Sequence, residues 1–353
     1  SLGPVGLDKM LVDDIGDVII TNDGATIRNQ LEVEHPAARL LVDLAQLQDR
    51  EVGDGTTSVV LIAAELLKRG NALVQLHPTT VLAGYRAALK ASVAFIKKNL
   101  VTSVSNLTDE HLLQAARTSM SSKIIGTEAD FFARLAVDAV RSVKTNEKYP
   151  LSAIHILKAH GKSSMDSELL TNGFAIAGSR AAQGMPTTIA AQGEGDTVKI
   201  ALLDMNLQRH RMGLGVTITV KDPAEIAKIQ QRELDITKEK ISKILDSGAK
   251  VVLTTKGMDD VVLKYFVEHG VLAARRCKLE DLKHLAKATG AKVVTTLADM
   301  EGGESFESSN LGACQKVSEI QTGEAEMLEF TGCGGHGAST IVLRGANEYM
   351  LDE

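Results

Sequence analysis

At 353 residues the chain is long for one hydrophobic core, which gives a prior of two or three domains. Its hydrophobic fraction of 44% and charged fraction of 24% are ordinary for a globular protein, and a formal net charge of -6 leaves no basic footprint for nucleic acid. Cys277, Cys314 and Cys333 form no CxxC pair, arguing against a zinc site or a disulfide framework, and even the apolar run Val59 to Leu67 is broken by Glu65, too short to span a bilayer. With no signal-peptide pattern at Ser1-Leu2-Gly3-Pro4, the expectation is a cytoplasmic chain with neither nucleic acid nor membrane as partner.

In chain order, Leu2 to Lys9 reads as a glycine-proline loop and Asp17 to Ile20 as a short strand. Asn22-Asp23-Gly24 then gives a hairpin signal, equally a plain tight turn with Asp23 bonded to its own backbone. The run Val52-Gly53-Asp54-Gly55-Thr56-Thr57-Ser58 combines two glycines, one carboxylate and three hydroxyls at a helix start. Such a start can cradle phosphate on bare N–H groups while the carboxylate holds a metal, Mg2+ above all. The heptapeptide alone is read as well by an Asp-Gly turn with Thr and Ser as ordinary N-caps.

A helix over Ser58 to Lys68 is expected to stop at Gly70, and Pro78 starts another whose Tyr85, Leu89, Val93 and Ile96 form a core-facing stripe. Thr108 caps a helix over Leu112 to Ala116, Thr127 one over Phe131 to Val143, and Thr118 to Lys123 is a polar loop between them. Composition shifts at Tyr149-Pro150, where Ala153 to Leu157 reads as a strand, and again after Gly184-Met185-Pro186. From Asp222 a repeating pattern of helix, glycine and short apolar strand places Gly248, Gly270 and Gly290 at left-handed helix ends before Lys250 to Thr254, Val271 to Ala274 and Lys292 to Thr295. That pattern predicts a parallel α/β sheet whose glycines close helices and so do not form a dinucleotide fingerprint. Asp222-Pro223 caps a helix to about Leu245 so charged that it should project into solvent, and Lys283, His284 and Lys287 fall on the polar side of a helix over Leu279 to Thr289. His284 has no second ligand at metal spacing.

The motifs LGPVGLDKM, TNDGATI, EVEHPAA, EVGDGTTSVV and TSMSSKI occur in this order along the chain. In that order they resemble the group II chaperonins, the archaeal thermosome and the eukaryotic cytosolic ring chaperonin known as TRiC or CCT. VDDIGDV, Lys158-Ala159-His160-Gly161 and RGAN are most similar to its alpha-subunit branch. The resemblance implies a multidomain α and α/β fold: a mainly helical equatorial domain over residues 1-112, an intermediate domain over 113-178 and 333-353, and an α/β apical domain over 179-332, with a helical lid protrusion near 222-245.

The resemblance also implies ATP hydrolysis that closes a built-in lid over non-native proteins of the actin and tubulin class, inside a double ring of paralogous subunits. Leu2, Gly3, Pro4, Gly55, Thr56, Thr57, Ser58, Ser122 and Lys123 would bind ATP, Asp54 would hold Mg2+, Asp23 would orient the attacking water, and Lys283, His284 and Lys287 would face clients. TIRNQL and MPTTI depart from the usual family wording, and the chain stops at RGANEYMLDE where the family continues with a helix bearing the catalytic aspartate. The expectation is a segment of such a subunit, unable alone to fold fully or to hydrolyse ATP. A client-binding module without ATPase activity and a small-molecule phosphotransferase remain as other readings.

Overall fold

A computed structural model describes all residues except 4, 14, 17, 102, 104–107, 122, 145–147, 192, 194, 209–222, 299–302, 323–324, 335–338 and 353, and the side chains of 223, 224, 227, 230, 322 and 325. The chain forms two units, Ser1–Val137 together with Asp352, and Asp138–Leu351.

The first unit opens with the antiparallel pair β1 (Lys9–Val12) and β2 (Val18–Thr21), in register from Lys9 opposite Thr21 to Val12 opposite Val18. The hairpin turn therefore lies between Val12 and Val18, and the expected hairpin at Asn22-Asp23-Gly24 is absent. Asp23 is instead the N-cap of α1 (Gly24–Gln30), its side chain accepting the Thr26 N–H. Helices α2 (Pro36–Val52) and α4 (Pro78–Asn99) begin alike, with His35 or His77 as N-cap and proline in the first turn. In each the imidazole Nδ1 accepts an N–H two residues on, and proline occupies a site whose missing N–H costs nothing.

Between them, α3 (Thr56–Ala72) runs through Gly70, which does not stop it. Tyr85 explains that glycine: a Cβ on Gly70 would stand 3.3 Å from the phenol oxygen, which donates to the Leu66 carbonyl at 2.7 Å and ties α4 to α3. The stripe expected as core on α4 is open, with Leu89, Val93 and Ile96 63%, 40% and 47% exposed. Helical spacing identified a face, but spacing cannot say what covers it.

α5 (Asp109–Met120) begins after Thr108 as expected, with His111 Nδ1 accepting the Thr108 N–H. α6 (Ala129–Ser142) follows a short 3-10 segment, Ile124–Glu128, that contains Thr127, so Thr127 is not its cap. Thr118, Ser119 and Met120 likewise belong to the last turn of α5, and the expected loop is shorter than the motif.

The second unit holds β3 (Ile154–His160), β4 (Glu168–Thr171), β5 (Gly173–Ala177), β6 (Thr188–Ala190), β7 (Val198–Leu203), α7 (Pro223–Asp246) and β8 (Val251–Thr254). There follow α8 (Asp260–Glu268), β9 (Leu272–Ala274), α9 (Leu279–Thr289), β10 (Val293–Val294), β11 (Gly312–Cys314), β12 (Lys316–Thr322), β13 (Ala325–Thr331), β14 (Ser339–Gly345) and α10 (Glu348–Asp352). The expected parallel sheet is present: β10, β7, β8 and β9 in that order, with β11 antiparallel on β7. Gly248, Gly270 and Gly290 all have positive φ just past their helices, as the pattern required.

Both faces of this sheet are covered, and period-two alternation sorts its side chains. Ile200, Leu202, Val251 and Leu253 pack with Leu282 and Leu285 of α9 and with Phe174 and Phe330, while Ala201, Leu203 and Val252 pack with Ile241 and Ile244 of α7 and Phe266 of α8. An antiparallel sheet in the order β5, β13, β12, β6 and a three-stranded sheet with β14 between β3 and β4 complete the unit.

The expectation that α7 projects into solvent holds only for its first part, where Ile226 is 48% exposed; Asp222 lies outside the described residues. From Thr237 on, Thr237, Ile241 and Ile244 are buried, and Lys240 and Lys243 pair with Glu304 at 3.3 and 3.6 Å. The charges on this half flank a narrow apolar seam that the charge count concealed.

Candidate functional site

The most chemically organised cavity of the first unit, about 220 Å³, collects four separated stretches of sequence: Leu2 and Gly3, Asp23 and Gly24, Gly53 to Ser58, and Thr118, Ser119 and Lys123. Glycine geometry builds its floor. Gly53 caps the C-terminus of α2 at φ 76° and Gly55 stands as N-cap of α3 at φ 73°, a conformation costly for a residue with a Cβ. The alternative of Thr and Ser as ordinary N-caps is therefore excluded, because the cap is Gly55 and no side chain caps α3.

Without such a cap, the N–H groups of Thr56, Thr57 and Ser58 have no acceptor within their helix and lie at the positive end of a helix of 17 residues. Gly24 lets α1 approach this turn closely. A Cβ there would stand 2.4 Å from Thr57 Oγ1 and 3.0 Å from Thr56 Oγ1.

Two carboxylates flank the turn in different states of constraint. Asp23 Oδ2 accepts from both the N–H and the hydroxyl of Thr26 at 2.8 Å, and Oδ1 accepts from Thr56 Oγ1 at 3.4 Å. Burial alone would push its pKa up, but the Thr26 hydrogen bonds, one from the Ala25 N–H and the charge of Lys123 outweigh it and hold the carboxyl below its ordinary value. Asp23 is therefore ionised at neutral pH, a strong acceptor and a weak base. Asp54 is exposed: Oδ1 accepts the Gly55 N–H at 2.7 Å, Oδ2 accepts the Ser119 hydroxyl at 3.2 Å, and its carbonyl accepts from Gln48 Nε2 at 3.0 Å.

Of the expected ligand-binding residues, Leu2, Gly3, Asp23, Asp54, Gly55, Thr56, Thr57, Ser58 and Lys123 all line this one cleft; Pro4 and Ser122 lie outside the described residues. Sequence reasoning missed Gln48, Thr26 and Ser119. The donor set suits a magnesium-bound polyphosphate: an open hard carboxylate oxygen set, unfilled helix N–H groups, hydroxyls and one lysine.

Lys283, His284 and Lys287 lie on α9 in the second unit. The two lysines are exposed and His284 is half-buried, its ring 5.9 Å from that of His155. Among the described residues no group of three or more His, Cys, Asp or Glu is placed to hold a metal, and no helix is long and apolar enough to cross a membrane. The three cysteines are free and buried, burial pushing Cys277 and Cys314 up to about 12 and Cys333 to about 11, so they are inert thiols at neutral pH.

The sequence profile of the TCP-1/cpn60 chaperonin family matches residues 1–353. T-complex protein 1 subunit alpha of Arabidopsis thaliana is 57% identical over all of this chain, and that of Schistosoma mansoni 51%. Thermosome subunit beta of Archaeoglobus fulgidus is 38% identical, again over the whole chain, which covers 63% of that protein. The chain spans 65% of the length of the two T-complex relatives.

Proposed function

Because this chain belongs to the TCP-1/cpn60 chaperonin family, we propose that it acts in a group II chaperonin subunit that couples ATP hydrolysis to the enclosure and folding of non-native proteins in the cytoplasm. The observation that carries the reading is the convergence of Asp23, Asp54, the uncapped first turn of α3 and Lys123 on one cleft.

In this reading Asp54 holds Mg2+, and the N–H groups and hydroxyls of Thr56, Thr57 and Ser58 receive phosphate oxygens, with Gly3 and Pro4 against the nucleotide. Bound Mg2+ would supply charge neutralisation on the phosphates. Lys123 adds a point charge, and Ser122 belongs to the same loop. Asp23, ionised and fixed by Thr26, orients a water for attack on the terminal phosphate. Chemistry of this kind is positioning and charge neutralisation, which fits a site of preorganised donors without a strong base.

The domain limits proposed are equatorial 1-112, intermediate 113-178 and 333-353, and apical 179-332. Paralogous subunits in a double ring, and clients of the actin and tubulin class reached through Lys283, His284 and Lys287 on α9, are further parts of the proposal.

Isothermal titration of the intact protein with Mg-ATP should show saturable binding that Asp54→Ala abolishes, with electron microscopy showing stacked rings. Binding that survives Asp54→Ala overturns the nucleotide assignment. A particle without rings overturns the chaperonin reading.

A further inference from the structure

We propose that Ser119 is a positioning residue for the metal-holding carboxylate of Asp54, an inference that rests on the nucleotide-site reading and assigns a further residue to it. Hydroxyls in the last turn of a helix usually bond back to a carbonyl three or four residues earlier. Two neighbours of Ser119 do so: Thr118 Oγ1 donates to the Gln114 carbonyl and Ser121 Oγ to the Thr118 carbonyl, each at 2.8 Å. A hydroxyl has one proton to donate. Ser119 spends its proton on Asp54 Oδ2 at 3.2 Å, across 65 residues of sequence.

The other restraints on Asp54 act differently. Gln48, on α2, holds the backbone carbonyl and not the carboxylate, and the Gly55 N–H at 2.7 Å belongs to the adjacent residue and moves with the loop that joins α2 to α3. Ser119 is the tether from a separate helix. It sets the rotation of the carboxylate plane against α5 and leaves Asp54 Oδ1 and Oδ2 with lone pairs for a metal, since an ionised carboxylate offers about four acceptor positions. Deleting this hydroxyl leaves the exposed carboxylate with the Gly55 N–H on Oδ1 and removes its restraint from α5. A partner that orients a metal ligand contributes to metal affinity without touching the metal.

The test uses Mn2+ as a paramagnetic substitute for Mg2+ in the intact protein, with bound Mn2+ read by electron paramagnetic resonance in the presence of ADP. ADP affinity in EDTA is measured in parallel. Loss of an outer-shell partner weakens metal binding about 10- to 100-fold, and since this hydrogen bond is exposed, Ser119→Ala should raise the Mn2+ Kd about tenfold while the metal-free ADP Kd stays within about twofold and Ser119→Thr regains most of the loss.

Unchanged Mn2+ affinity in Ser119→Ala overturns the proposal. So does an equal loss of metal-free ADP affinity, which marks Ser119 as a mere strut, and so does failure of Ser119→Thr to recover binding. If the unsubstituted protein takes up no Mn2+ with ADP, or Asp54→Ala binds it undiminished, the nucleotide-site reading itself falls.

Discussion

In the unit Asp138–Leu351 the side chains of Leu253, Phe266 and Leu272 are 0% exposed, whereas in Ser1–Val137 Leu67, Leu89 and Phe95 stand 63%, 63% and 59% exposed. Apolar burial near 25 cal/mol per Å² is what orders the first of these regions, its strands fed on both faces by α7, α8 and α9. The candidate site sits in the other, where caps, left-handed glycines and carboxylate hydrogen bonds set the geometry. Precision in this chain is thus separated from burial: the site is positioned by directed hydrogen bonds, the sheet unit by packing.

The largest expected effect tests that contrast directly. Phe266→Ala removes a fully buried ring from between α8, α7 and the sheet and should cost about 3–5 kcal/mol, while Leu89→Ala on the open face of α4 should cost about 0.5 kcal/mol or less. Urea denaturation of each variant measures the difference. A loss near 2 kcal/mol for Leu89→Ala would show that this face is covered in solution and break the contrast.

A smaller effect is expected from Gly24→Ala. The added methyl would meet Thr57 Oγ1 and Arg28 Nη1 at 2.4 Å; the arginine tip can swing away, but the β-branched Thr57 on the first turn of α3 has little freedom. Overpacking of this kind costs about 1–3 kcal/mol and should weaken Mg-ATP binding along with stability. Calorimetric binding by Gly24→Ala that matches the unsubstituted protein would mean that α1 need not touch the phosphate turn.

That same glycine shows what was legible in the residues and what was not. Asn22-Asp23-Gly24 was correctly singled out, yet hairpin turns and helix N-caps draw on the same Asp chemistry, and only the chain that follows decides between them. Gly53 and Gly55 were singled out as room for a ligand and not as left-handed caps of α2 and α3, whereas Gly248, Gly270 and Gly290 were legible as left-handed helix ends in the parallel sheet. Gly70 was misread, since its partner Tyr85 arrives from the next helix. Ser119 fell within the singled-out motif TSMSSKI, but its role was hidden for the same reason on a longer scale, its partner Asp54 lying 65 residues away. Local backbone demands write themselves into sequence; contacts between distant segments do not.

The smallest expected effect lies in the packed unit and concerns one polar group within it. His155 on β3 stacks on Phe174 of β5 at 4.7 Å and meets the His284 ring of α9 at 5.9 Å, while its Nε2 is buried without a hydrogen-bond partner among the described residues. Burial lowers its pKa; Asp281 pulls the other way, and His284 and Lys278 reinforce the lowering. β5 brings no titratable side chain to the contact, and the register partner on β14 is Thr340. The folded chain therefore keeps the ring neutral where the unfolded chain, titrating near 6.5, would begin to bind a proton. Stability should be full above that value and decline as pH falls through it toward the lowered folded value. The partly exposed ring keeps the slope shallow through solvent screening. Urea midpoints between about pH 5 and 8 should fall with acid in the unsubstituted protein and be flatter in His155→Asn, which cannot titrate in that range. A midpoint that declines equally in both would place the acid-sensitive group elsewhere.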